Sequence, residues 1–272
     1  QPWKVDPVYG GPEYETLGAF GSNCGVGQVE AIMKANELCC RYGLDTISTG
    51  VTISFAMECF EKGVLTLKDT DGLKLTFGNG PAMVEMVERI AMRKGLGNLL
   101  AEGTKRAAEV IGKGSAEWAM QVKGEEIPMH EPRYKQGMGL HYSVHATGAD
   151  HCTGIHDDLV NKKLAEWDRI GLAESVPVFE MSGRKARMLY QVGLWRHLAN
   201  YIGLCLFVPW SNEQVTQALE AITGWPMGSY KLMKTVERGI TLARIFNLRE
   251  GFSRRDDTLP RRFASSPAAS NL

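Results

Sequence analysis

The chain has 272 residues, 44% of them hydrophobic and 23% charged, which is ordinary for a globular protein of one large or two ordinary domains. Its formal net charge is +0 and its pI about 7.2, so nothing in the charge points to nucleic acid or an anionic membrane surface. No apolar run approaches the roughly 20 residues needed to span a bilayer.

The opening stretch, QPWKVDPVYGGPEYE, reads as the interior of a longer chain. Beyond it the hydrophobic period is helical almost everywhere. Val29, Ile32, Met33 and Cys40 share one face of a helix over 27–42, and Gly43 supplies its left-handed stop. Asp45 can cap the next helix, 46–62, which Gly63 ends. Two short runs, 64–67 and 73–77, flank Asp71-Gly72 and predict a small β-hairpin. Pro81 stands at the start of a helix to Lys94, and 99–111 reads as a single further helix. The stretch 116–122 is ambiguous and could be extended. Residues 123–157 change character, with few aliphatics and many Gly, His and Pro, a composition that suits sites better than regular structure. Helices resume at 160–167, 183–199, 212–223 and 229–246. The tail, 263–272, is small and polar and predicts disorder. The fold class is therefore mainly α: two all-α lobes, 1–124 and 125–272, with one small β-hairpin.

Several features could carry chemistry. Five of six histidines, His130, His141, His145, His151 and His156, lie close together, with His197 the outlier. Imidazole serves as acid, base or metal ligand near neutral pH. A polar loop of solvated histidines is the bland alternative. HxxxH at His141 and His145 needs a helix to act as a metal clamp, and its Gly-rich flanks argue against one. Glu13 and Glu15 follow a Gly-Gly-Pro turn, where a carboxylate could be a general base or simply favour a first helical turn. The six cysteines form no CxxC pair and read as reduced thiols of a cytoplasmic protein. Cys205, among Leu204, Leu206 and Phe207, reads as inert core or as one thiolate of an iron–sulfur cluster. Finally, CRYGLDT (40–46) and NYIGLCLF (200–207) share a pattern: Gly-Leu, then a potential ligand, Asp45 or Cys205.

Taken in order, GPEYETLGAFGSNCG, ANELCCRYGLDTISTG, LTLKDTDGLKL, the stretch from Pro128 to His151, YIGLC and REGFSRRDDTLPRRF resemble the tungsten-containing aldehyde ferredoxin oxidoreductases over nearly the whole chain. The resemblance implies the two helical domains without the N-terminal domain that precedes them in that family. It implies a tungsten or molybdenum centre held by two pterins, with a [4Fe-4S] cluster nearby. The family's DxxGLD and DxxGLC motifs match Cys40 to Asp45 and Asn200 to Cys205, so Gly43, Leu44, Asp45, Asn200, Gly203 and Leu204 would face pterins and Cys205 would bind the cluster. Cys40 and Asn200 stand where the family usually has Asp; Asn keeps an acceptor oxygen, but a thiol is a weak acceptor, which leaves pterin contact by Cys40 open. Glu15 and His151 match the family's active-site Glu and His. His130 replaces a usual Tyr and leaves the substrate open.

The resemblance further implies oxidation of a small aldehyde to a carboxylic acid, with electrons passed to ferredoxin in an anaerobic cytoplasm. It also implies a homodimer of the full-length protein and an inactive isolated chain, since three cluster ligands would lie upstream. Three other functions fit in part: the tungsten subunit of an aromatic acyl-thioester reductase, a hydrolase with one metal in the His cluster, and a non-catalytic helical fragment.

Overall fold

Helices carry nearly all of the regular structure in the computed structural model, which describes residues 3–154, 156–161 and 165–265. In chain order, α1 (Tyr14–Leu17) runs directly into a π-helical turn, Gly18–Ser22. Next come α2 (Val29–Tyr42), α3 (Thr46–Glu61), α4 (Gly80–Ala91), α5 (Leu96–Leu100) and α6 (Thr104–Ile111). β1 (Gln121–Val122) pairs antiparallel with β2 (Glu125–Glu126). Then follow α7 (Gln136–Val144), α8 (Ala165–Asp168), α9 (Gly183–Ile202), α10 (Asn212–Thr223), α11 (Ser229–Arg249) and α12 (Arg262–Ser265). No helix among the described residues is long and apolar enough to cross a membrane.

Local chemistry accounts for most of these boundaries. Asp45 caps α3 by accepting the Ser48 N–H at 2.7 Å. Ser211 and Gln214 form a reciprocal capping box on α10. Where one helix is expected over 99–111, the structure has two. Gly103, at φ 86°, breaks the run, and the buried carboxylate of Glu126 takes the freed Thr104 N–H at 2.7 Å.

The hairpin expected around Asp71-Gly72 does not form. Asp69 takes both the N–H and the hydroxyl of Thr66, at 2.8 and 2.7 Å, while Gly72 N–H bonds Leu67 C=O. These local turns use the groups a ladder would need. The alternation in the sequence reflects the burial of Leu65 and Leu75. The sheet lies instead at 121–126, closed through Lys123 and Gly124, both at positive φ. Residues 162–164 of the expected 160–167 helix lie outside the described residues, and the helical part is α8. Phe263 and its neighbours in α12 are helical where composition predicts disorder; 266–272 lie outside the described residues.

The described residues divide into two compact units, 3–129 with 260–265, and 130–259. The first packs Phe20, Ile53, Met57, Leu75, Met83 and Met86 into one core. Its α3 approaches the π-helical turn so closely that a Cβ on Gly50 would meet Ala19 Cβ at 2.7 Å, which is why only glycine fits there. Arg262 returns to this unit as a bidentate ion pair with Glu58, at 2.6 and 3.0 Å. The second unit packs Met188, Val192 and Leu198 of α9 against Leu232 and Val236 of α11. A buried ion pair crosses it: Lys185 Nζ lies 2.6 Å from Asp157 Oδ1, with side chains 1% and 0% exposed. Asp157 also accepts the Gly137 and Met138 N–H groups at 2.9 and 3.1 Å, so one carboxylate ties the start of α7 to α9.

Candidate functional site

In the first unit, the turn before α1 places Glu15 in the opening helical turn, half-buried. Its Oε2 accepts the Met129 N–H at 2.8 Å, while the Tyr14 hydroxyl donates to Met129 C=O at 2.8 Å. Met129 packs against Gly18 so closely that a Cβ there would meet its Cγ at 2.4 Å. Glu15 therefore sits at a fixed position on a rigid turn, as a proton acceptor must.

The two Gly-Leu stretches have the same backbone geometry. α2 ends at Gly43, with φ 66° and ψ 37°, and Leu44 N–H bonds Cys39 C=O at 2.9 Å. α9 ends at Gly203, with φ 71° and ψ 28°, and Leu204 N–H bonds Ala199 C=O at 2.9 Å. Both are Schellman helix ends, with glycine at the left-handed residue and leucine after it as the apolar contact. This local chemistry explains Gly-Leu in each stretch without any ligand. It does not explain the residues on either side. Cys40 and Asp45 are exposed around the first bend, and Asn200 and Cys205 around the second.

Cys205 is therefore neither buried core nor disulfide-bonded. Leu204 and Leu206 are only half-buried beside it, and Phe207 is 94% exposed. Cys205 borders a cavity of about 200 Å³ lined also by Trp167, Trp195, Arg196, Trp210 and Asn212. Among the described residues Trp167 Nε1 is buried without a hydrogen-bond partner, so an acceptor entering the cavity would satisfy a donor that otherwise costs free energy. By contrast, Cys24, Cys39 and Cys59 are buried, and burial pushes each thiol up to about 12.

The second unit sorts the six histidines into two trios. In one, the rings of His130 and His151 lie 5.3 Å apart and those of His130 and His156 4.8 Å. Lys135 Nζ donates to His156 Nδ1 at 3.1 Å, which leaves His156 Nε2–H to donate to His151 C=O at 3.2 Å. Burial, then Lys135, pushes His156 down to about 4, so this ring is neutral at pH 7. Cys152 Sγ lies 3.6 Å from His151 Nε2. The sequence brings His130 and His151 to mind as a pair but gives no sign of Lys135, which fixes the tautomer of their neighbour.

The other trio is His141, His145 and His197. It corrects two expectations. His197 is an outlier only along the chain, because α9 carries it back to within 2.8 Å of His145. HxxxH does lie on a helix: α7 holds His141 and ends at His145, since Asp157 caps its Gly-rich start.

A pterin's amino-pyrimidine edge needs fixed acceptors, and exposed Asp45 and Asn200 on rigid helix ends fit that need. An iron–sulfur cluster needs four thiolates. Cys205 fits as one, but among the described residues no other cysteine stands beside it in a ligand group.

The sequence matches the family described as aldehyde ferredoxin oxidoreductase, domains 2 and 3, over residues 1–271. It is similar to the tungsten-containing aldehyde ferredoxin oxidoreductase of Thermococcus kodakarensis, 36% identical over 261 residues, and to that of Pyrococcus furiosus, 35% identical over 261. Each similarity covers 94% of this chain and 42% of the relative, so the chain spans less than half the length of these relatives. A shorter one, 34% over 146 residues, covers 52% of this chain and 23% of the WOR-like subunit of an aliphatic sulfonate oxidoreductase from Pyrococcus furiosus. In fold, the chain resembles the active-site complex of benzoyl coenzyme A reductase solved with 1,5-dienoyl-CoA. The TM-score is 0.72 at 22% identity, over 95% of this chain and 44% of the other.

Proposed function

The chain belongs to the aldehyde ferredoxin oxidoreductase family, and from that premise we propose that the protein carrying it oxidises an aldehyde to a carboxylic acid and hands the electrons to ferredoxin. The observation that carries this reading is the matched pair of helix ends, one in each unit, with exposed polar residues around each Gly-Leu bend. Asp45 with its bend would hold one pterin, and Asn200 with its bend the other. A tungsten ion held by two pterins supplies two-electron redox chemistry. Cys205 would donate one thiolate to a [4Fe-4S] cluster.

The protein's own groups divide the remaining work. His151 donates a hydrogen bond to the aldehyde oxygen and makes its carbon more electrophilic. Glu15, held by the Met129 N–H, would accept a proton from the water whose oxygen adds to that carbon. His130, beside His151, orients the substrate.

One residue favours a second reading, the reduction of an aromatic acyl thioester. At position 130 an imidazole stands where the resemblance leads one to expect Tyr, and imidazole is a common proton donor in catalysis. Anaerobic turnover separates the two. Small aldehydes oxidised with ferredoxin, and a loss of about 10²–10⁴ in kcat for Glu15→Gln, support the first reading. Turnover of a bulky aromatic thioester but no free aldehyde would replace it with the second.

A further inference from the structure

The second histidine trio takes no part in the reaction proposed above, yet two of its rings come together with a carboxylate, that of Asp150, in one group of possible metal ligands. We propose that His141, His145 and Asp150, with His197 beside them, bind one divalent first-row transition ion of the zinc type, which fastens α7 and the loop after it to α9.

The geometry has four parts. First, ligand atoms of His141, His145 and Asp150 all lie within 4.8 Å of one another. Spacing of four residues puts the two imidazoles over the same face at the end of α7, where their rings stack at 4.7 Å between centroids. Second, the tautomer of His197 is fixed. Its Nδ1 lies 2.7 Å from Gly193 C=O, which can only accept, so Nδ1 carries the proton and Nε2 presents a lone pair. That lone pair faces His145 Nε2 at 2.8 Å. Third, His145 can adapt. Its Nδ1 lies 2.8 Å from the Thr147 hydroxyl, which accepts or donates, so the proton can sit on Nε2 for His197 or on Nδ1 with Nε2 released for an ion. Fourth, the Thr153 hydroxyl stands at the convergence, 3.3 Å from His141 Nε2, 3.5 Å from His145 Nε2 and hydrogen-bonded to Asp150. An ion would replace that hydroxyl as their common partner.

The protonation states suit a cation. Burial pushes His141 down to about 3 and lowers His197 as well, so both rings are neutral at pH 7. Burial alone would raise Asp150, but the Thr153 hydroxyl and the Cys152 N–H outweigh it and keep the carboxylate ionised. The outer partners, Gly193 C=O, Thr147 and Cys152 N–H, are of the kind that orient metal-binding imidazoles and carboxylates. In a tetrahedral zinc site, Zn–N bonds of about 2.05 Å place ligand nitrogens about 3.3 Å apart. Binding therefore opens the His145–His197 contact by about half an ångström. Arg196 opposes the ion electrostatically, though its guanidinium is engaged with Cys152 C=O at 2.8 and 3.0 Å. Three nitrogens and one oxygen select zinc-type ions over magnesium or calcium.

The test is a cobalt titration of the full 272-residue chain after chelator treatment. The expected result is one Co²⁺ per chain, with visible ligand-field bands of a four-coordinate nitrogen and oxygen site, displaced by one equivalent of Zn²⁺. His145→Ala and Asp150→Asn should each weaken binding by about 100-fold, while His156→Ala, in the other trio, leaves it unchanged. Circular dichroism checks that each variant is folded. Failure of the unaltered chain to bind Co²⁺ stoichiometrically would overturn the proposal whatever the variants do. So would binding indifferent to His145→Ala, or a thiolate charge-transfer band, which would move the ligand set to Cys152.

Discussion

The buried pair Asp157–Lys185 makes the sharpest stability prediction. Both side chains are out of water, and Asp157 holds three partners: Lys185 Nζ at 2.6 Å and two backbone N–H groups of α7. Asp157→Asn removes the negative charge but keeps one acceptor oxygen. Lys185 is left as a buried ammonium with neutral acceptors, such as Val178 C=O at 3.2 Å, in place of its counter-charge. Breaking one side of a buried pair costs about 3–5 kcal/mol. Loss of one α7 cap adds about 0.5–2 kcal/mol. The expected total is about 3.5–7 kcal/mol, read as the shift in urea unfolding of the second unit followed by the fluorescence of Trp167, Trp195 and Trp210. Lys185→Met alone should cost less, because Asp157 keeps its two backbone donors. The double variant Asp157→Asn, Lys185→Met should be more stable than Asp157→Asn, since no buried charge remains unpaired. If Asp157→Asn lies within about 0.5 kcal/mol of the unaltered chain, or the double variant is the least stable of the three, the pair does not hold α7 as argued.

Two further outcomes follow from protonation and burial. His156, at about 4 when folded against an ordinary 6.5, takes up its proton more readily in the unfolded chain. Its contribution to stability is therefore fully present above pH 6.5 and is lost as pH falls towards about 4; His156→Gln should flatten the unfolding midpoint across that window, and an unchanged slope would assign the pH dependence to other groups. With a maleimide, Cys40 and Cys205 should react in the folded protein, while Cys24, Cys39 and Cys59 react only on unfolding. Equal rates for all would contradict the burial described.

Much of this architecture is legible in the sequence because short-range chemistry decides it. Gly43 and Asp45 mark a helix end and a helix start, and both hold in the structure because a left-handed glycine and an N-cap need only their neighbours. The hairpin at Asp71-Gly72 misleads because Asp69 and the local turns capture the backbone donors that a ladder requires. Long-range effects are the least legible. Nothing around HxxxH announces a helix, since its stability comes from Asp157, beyond the helix's C-terminal end. His197 joins a trio that no local spacing reveals, because α9 brings it back. Cys205 is exposed despite apolar neighbours, because a hydrophobic flank does not say which way the chain turns after a Schellman end.

In the function proposed above, the two helix-end stretches serve pterins. The direct test is the metal and pterin content of the protein that carries this chain, purified from anaerobically grown cells. Tungsten or molybdenum with two pterins per metal ion, seen as fluorescence after acid oxidation, is expected, and less pterin when Asp45 or Asn200 is replaced by Ala. Protein that carries no pterin, whatever other metal it holds, would contradict it.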